Sequence, residues 1–427
     1  MGVNMAGSGL IDEPSRCMKC GFCMSACPVY GVDHIESHVA RGRNMLINWA
    51  GNNELTLDNS YRNSLYHCLL CRRCETVCPA RISSAAIALQ ARANLVQQKV
   101  FTWPQRFIHR GIVKHRALVA KALGLAAWLP RFAVNEGRPL RHLADFASML
   151  STGLSIPRLS KPFLSERIPY RTFPPSGTRV RGEVAVFPGC AFEFFFAGIG
   201  QDVVMVLAEA GFEVVNPAGL TCCGLAVQSA GDTDTAALMA RQNIEVLSRF
   251  DHIITGCATC GSAFRNYENW FPENDAYQAK AHNFSERVED LSEFLIRQEF
   301  ESPGQRDYPV TVTYHDPCHL RWHQGVSEEP RKILNSIEGV NYIEMEGADK
   351  CCGLGGSFGI THRDVSLAIL DKKMESIKKT GAEVVVTSCP GCMIQLMDGV
   401  RRRGLPIDVM HISRLIRGQK EPLRKRR

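Results

Sequence analysis

Eighteen cysteines in a chain of 427 residues fall into two spacing patterns, and each pattern occurs twice. No other feature limits the possible folds as strongly. Thiols in this number are either disulfides or ligands. The opening stretch, MGVNMAGSGLIDEPSR, has no apolar segment of the kind that directs export. Unexported thiols stay reduced, so the clusters read as metal-binding or redox groups, and a cytoplasmic chain is expected. No run of about 18 uncharged apolar residues is present, so no membrane-spanning helix is expected. Hydrophobic residues make up 45% of the chain, enough for cores in two or three domains.

Residues 181–427 contain an internal repeat. The first copy runs VAVFPGC (184–190), then Cys222-Cys223-Gly224, then ITGCATC (254–260). The second runs VTVTYHDPC (310–318), then Cys351-Cys352-Gly353, then VTSCPGC (386–392). Cys190 to Cys318 is 128 residues, Cys222 to Cys351 is 129, and Cys257 to Cys389 is 132. Short β-branched runs at Val184–Phe187, Val310–Tyr314 and Val384–Thr387 read as buried parallel strands. Between them, 198–211 and 365–379 have helical periodicity. Most of these cysteines follow a strand, where open α/β sheets form their ligand crevice. Each half therefore gathers five thiols: Cys190, Cys222, Cys223, Cys257 and Cys260 in one, Cys318, Cys351, Cys352, Cys389 and Cys392 in the other. Four thiolates suffice for an ordinary cubane. Adjacent cysteines serve one iron poorly, but they can serve two irons or bridge.

Residues 1–98 carry the second pattern, 17-CMKCGFCMSACP-28 and 68-CLLCRRCETVCP-79. Both are C-x2-C-x2-C-x3-C-P, the bacterial two-cluster ferredoxin run, whose fourth cysteine ligates the other cluster. Cys17, Cys20, Cys23 and Cys78 then hold one cubane, and Cys68, Cys71, Cys74 and Cys27 the second. Zinc normally takes two separated C-x2-C pairs, so this spacing suits it poorly. Pro28 and Pro79 end each run by removing a backbone donor.

Joined in one chain, these patterns resemble the iron–sulfur subunits of glycolate oxidase and D-lactate dehydrogenase. Their cysteine-rich domain is similar to that of heterodisulfide reductases. The resemblance implies an α+β/α/β chain: a helical twin-[4Fe–4S] ferredoxin-type domain (1–98), a connector (99–180), and two α/β half-domains (181–300 and 301–427). It also implies a noncubane [4Fe–4S] cluster for each complete motif, although zinc replaces it in one motif of some relatives. The implied role is electron relay with no catalytic residue of its own. A flavin-containing partner subunit would oxidise glycolate or D-lactate, and electrons would pass to the quinone pool or another carrier. Two alternatives share the pattern: a catalytic subunit of the heterodisulfide reductase D type, and the iron–sulfur subunit of an anaerobic glycerol-3-phosphate dehydrogenase. No flavin or nicotinamide fingerprint is visible, which assigns substrate oxidation to another subunit.

Other residues carry weaker signals. His315 and His319 flank Cys318 and could ligate a metal, hydrogen-bond a cluster sulfur, or simply pack. Asp316, before Pro317, suits turn chemistry better than acid–base work. The run 353-GLGGSFG-359 lacks both phosphate-loop spacings and reads as a turn enclosing a cluster. Residues 99–175 hold 13 Lys/Arg against 3 Asp/Glu, while the whole chain is +7. With no nucleic-acid module present, this basic stretch and the Phe- and Trp-containing segment 101–130 point to a partner subunit or to the cytoplasmic face of the inner membrane.

Overall fold

Short runs rich in β-branched residues within 171–411 build two mostly parallel sheets with the same plan. The first contains β1 (Arg171–Thr172), β2 (Gly182–Phe187), β3 (Phe212–Val215), β4 (Ile253–Thr255) and β5 (Val288–Asp290), in the order β1-β3-β2-β4-β5. The second contains β6 (Gln305–Tyr314), β7 (Glu338–Tyr342), β8 (Val384–Thr387) and β9 (Asp408–His411), in the order β7-β6-β8-β9. Without β1, the two orders coincide, so the repeat in the sequence is a repeat in topology. The register pairs Val184 with Val214 and Val186 with Ile254 in one half, and Val312 with Tyr342 and Val384 in the other. The computed structural model describes residues 13–98, 157–300 and 305–418. The basic stretch expected as a connector thus lies largely outside the described residues.

Parallel strands need both faces covered. Val184–Phe187 and Val384–Thr387 are buried at every position, each Val or Phe contributing about 1.5–3 kcal/mol. Helices Ala197–Glu209 and Arg363–Lys379, close to the expected 198–211 and 365–379, supply part of that cover. One hydrophobic core runs through both halves, from Leu164 and Val184 to Val409 and Ile416. Arg417 reaches across to Asp202 (3.0 Å) and Glu209 (3.2 Å). Before residue 181, Leu164 and Ile168 enter this core, and β1 pairs antiparallel with β3. A two-residue edge strand has no periodicity to read, which is why the sequence suggested only a linker there.

The N-terminal residues form short helices around the cysteine runs and three longer ones, Ala40–Gly51, Asn59–Tyr66 and Ser84–Gln97. These pack through Ile47, Tyr61, Leu65, Ile87 and Leu95. The module rests on both half-domains. Tyr66 Oη donates to the Ala230 carbonyl (2.8 Å), Arg92 to the Ser229 carbonyl (2.8 Å), and Arg73 pairs with Asp349 (3.0 Å).

Candidate metal centre

Each cysteine run bends at the same two places. Lys19 and Gly21 in the first run, and Leu70 and Arg72 in the second, have left-handed φ values of 55°, 85°, 53° and 61°. Such turns aim backbone N–H groups toward the run's own sulfurs: Leu70 N–H donates to Cys68 Sγ at 3.4 Å. Cys17, Cys20, Cys23 and Cys78 line one cavity, which Cys74 also borders. Cys27 lies instead beside Cys68 and Cys74. The fourth cysteine of each run therefore sits with the other run's triplet. Burial pushes the Cys23, Cys27, Cys71 and Cys74 thiols above the usual range. A thiolate there needs a cation beside it.

In the repeat, Cys190 and Cys318 open the helices after β2 and β6, and Cys257 and Cys389 follow β4 and β8 after one intervening residue. The Cys-Cys-Gly turns come after β3 and β7. All ten cysteines thus lie beyond the carboxyl ends of adjacent strands, where the topology opens its crevice. Each Cys-Cys-Gly turn requires its glycine. Gly224 and Gly353 have φ of 81° and 91°, and a Cβ on Gly353 would come within 2.7 Å of the Ser366 carbonyl oxygen.

The adjacent cysteines point different ways. Cys222 faces Cys190, whereas Cys223 faces Cys260. Likewise Cys351 faces Cys318, whereas Cys352 faces Cys392, with sulfurs 3.6 Å apart. The halves then meet: Cys257 faces Cys389 within hydrogen-bonding reach, and Ala258 N–H donates to the Ser388 carbonyl at 3.0 Å. Two separate crevices, expected from the sequence, are therefore continuous. The line extends into the N-terminal module as well, because Cys71 lies against Cys351 and Cys318 in one apolar cluster with Leu69 and Phe358. From Cys20 through both runs, the second half and the first half to Cys190, thiol follows thiol. Cys20 and Cys190 are exposed, while most of the cysteines between Cys71 and Cys223 on this line are buried.

Several neighbours of the line were invisible to spacing arguments. Arg43, 3% exposed, lies beside Cys27, Cys68, Cys71 and Cys74. Arg92, equally buried, donates to the Cys68 carbonyl at 2.6 Å. Arg43 sits on a helix well before the second run and Arg92 on the helix that follows it, and only the folded arrangement brings both side chains onto that run. Thr259 Oγ1 lies 3.3 Å from Cys389 Sγ. His319 and His323 both meet Ser262 Oγ (2.9 and 3.1 Å), and His323 Nε2 also meets the Leu70 carbonyl (3.1 Å). His319 thus ties the halves together. Asp316, expected in turn chemistry, is instead a buried anchor held by Arg321 (2.8 Å) and by both terminal nitrogens of Arg331 (2.9 Å each). The glycine run 353–359 packs against the second cysteine run: a Cβ on Gly355 would strike Leu69 at 2.3 Å.

The model of the 4Fe-4S dicluster domain matches residues 13–82, and that of the cysteine-rich domain matches residues 184–265 and 312–397. The probable glycolate oxidase iron-sulfur subunit of Bacillus subtilis (strain 168) is 31% identical over 419 residues, covering 95% of this chain and 93% of that relative. A fumarate reductase (CoM/CoB) subunit of Methanothermobacter marburgensis is 29% identical over 414 residues, covering 94% and 71%. Lactate utilization protein A 2 of Bacillus cereus (strain 03BB102) is 28% identical over 235 residues, 55% of this chain and 97% of that protein. These names do not favour the heterodisulfide-cleaving or glycerol-phosphate alternatives. With both cysteine patterns matched and nearly the whole chain aligned, the protein belongs to the family of glycolate oxidase iron–sulfur subunits and is an iron–sulfur electron-transfer subunit.

Proposed function

We propose that this chain carries electrons from a flavin-containing subunit that oxidises glycolate or D-lactate toward quinone or another carrier. The observation that carries the reading is the continuous line of thiols with exposed ends at Cys20 and Cys190. A relay needs two surfaces for exchange and an insulated interior between them, and this arrangement supplies both. The ligand sets are Cys17, Cys20, Cys23 and Cys78; Cys68, Cys71, Cys74 and Cys27; and the five thiols of each half. Five thiols spread in a row exceed what one four-coordinate zinc takes, which favours an iron–sulfur cluster in each half.

Anaerobic protein purified with its native partners is expected to contain about sixteen irons, four per cluster, and to bring a flavoprotein with it. The isolated chain is expected not to reduce dyes with glycolate or lactate. About eight irons together with zinc would reject the reading of the half-domains. Turnover by the flavin-free chain would reject the assignment of oxidation to a partner.

The basic residues 99–175 are proposed to dock the chain on an anionic membrane surface. Each charge near such a leaflet contributes on the order of 1 kcal/mol, and Debye screening weakens the attraction as salt rises. Among the described residues, no helix is long and apolar enough to cross a membrane. Cosedimentation with anionic vesicles should fall across a salt series and be weak with neutral ones. Equal binding to both lipids would leave partner docking as the role of this charge.

A further inference from the structure

The two half-domains share one plan but differ at a buried position beside the thiols. With Cys190 aligned to Cys318, Phe187 of the first half corresponds to His315 of the second. Both are 0% exposed, and both lie at the end of the central strand, β2 or β6. Phe187 packs against Phe264, with ring centroids 4.4 Å apart. His315 has two ring nitrogens; the Ala348 carbonyl lies nearby, but neither nitrogen makes a well-formed hydrogen bond. An unsatisfied polar group in such a place costs about 1–3 kcal/mol, so its retention calls for a partner.

The structure shows where that partner belongs. One ring nitrogen of His315 and the sulfurs of Cys352 and Cys392 all lie within 4.8 Å of one another. The nearby charged groups are engaged elsewhere. Lys373 Nζ donates to the carbonyls of Gly347 (2.7 Å) and Ala348 (3.2 Å), and Asp316 is held by Arg321 and Arg331. An imidazole carries at least one ring N–H in either protonation state, so it has a donor to give.

We propose that His315 donates a ring N–H to a sulfur of the cluster in the second half-domain, making that cluster easier to reduce than its counterpart beside Phe187. This rests on the reading that each half-domain holds an iron–sulfur cluster. Hydrogen bonds to cluster sulfurs are among the groups that set reduction potential, and a donor stabilises the more negative, reduced state. His315 is thus a positioning residue for electrons, and the halves, alike in ligands, are unlike in potential.

Potentiometric EPR titration of the native complex tests the idea with His315→Phe, which copies the first half, and His315→Gln, which keeps an N–H. In His315→Phe, one of the two repeat signals should titrate lower. Its reduced-to-oxidised ratio at the wild-type midpoint should fall about tenfold, or about 59 mV for a one-electron couple. The other signals and the iron content should stay in place, and His315→Gln should recover part of the shift. Unchanged potentials in His315→Phe would overturn the proposal. A second measurement needs no variant. In wild-type protein labelled with 15N-histidine, the second-half signal should show a nitrogen coupling of hydrogen-bond size. No coupling, or one as large as for nitrogen bound directly to iron, would overturn the proposal. Absence of both repeat signals from wild-type protein would instead remove the cluster reading on which it rests.

Discussion

Cys352→Ser is expected to remove about four of about sixteen irons and leave both cubane signals intact. Cys352 is 3% exposed and faces Cys351 on one side and Cys392 on the other, with 3.6 Å to the latter sulfur. A serine hydroxyl fits the space, but it does not ionise near neutral pH and binds iron poorly. The ligand set of the second half is then broken at its centre. The two cubanes proposed for the first 98 residues do not use this thiol and should persist. Electrons placed on them should no longer reach the first half-domain, so rapid-freeze EPR after reduction at the cubanes should find the first-half signal unfilled. Cys222→Ser is the companion change. It lies near the far end of the line, so transfer from the cubanes to the second half should survive it. Retention of all sixteen irons in Cys352→Ser would show that Cys352 is no ligand. Loss of every signal would show that the module and the half-domain, which share the Cys71–Cys351 apolar cluster, fold as one unit.

Arg43→Met should produce a comparably large change in the N-terminal module. The guanidinium is almost completely buried and lies beside all four thiols of the second set. A cluster held by four thiolates is anionic, and a buried anion is tolerated when a cation sits beside it. Removing one partner of a buried ion pair costs about 3–5 kcal/mol. Methionine fills much of the same volume, so the loss is chiefly electrostatic. The expected results are a lower unfolding midpoint and a lower potential for one cubane signal, with the other nearly unmoved. Arg43→Lys keeps the charge and should lie between the two. If the potential of this cubane and the unfolding midpoint both match wild type, Arg43 is not the counter-charge. Arg92 has a different task, since its donors go to the carbonyls of Leu65, Cys68 and Ser229 and hold the second run against the first half-domain.

Spacing makes part of this legible in the sequence alone. The C-x2-C-x2-C-x3-C-P grammar is local, and a chain that wraps a cluster must place its thiols at those intervals. The repeat was readable for the same reason: strand, turn and Cys-Cys-Gly recur at nearly constant offset. What spacing could not give was adjacency between elements far apart in sequence. Nothing at Cys257 announces that Cys389 will face it, because the contact depends on how two sheets share one core. Arg43 and Arg92 look like ordinary helix-surface cations until the helices dock. His315 stands out beside Cys318 in the sequence, but only its surroundings separate ligand, donor and packing: two nitrogens without a well-formed hydrogen bond and two facing thiols. Asp316 misled because an Asp-Pro pair reads as a turn, while its carboxylate was destined for arginines up to fifteen residues away.

A single file of thiols has no branches. On the proposed reading of one cluster per ligand set, four stations in series share one throughput, set by the slowest hop, and the described thiols offer no detour around a damaged one. Lesions at different stations should therefore slow overall turnover alike, yet leave different residues of charge behind. Everything upstream of the break fills with electrons and everything downstream stays empty. The steady-state pattern of reduced and oxidised stations, read in a turning-over complex, would locate the block and also reveal which end of the file is the entrance.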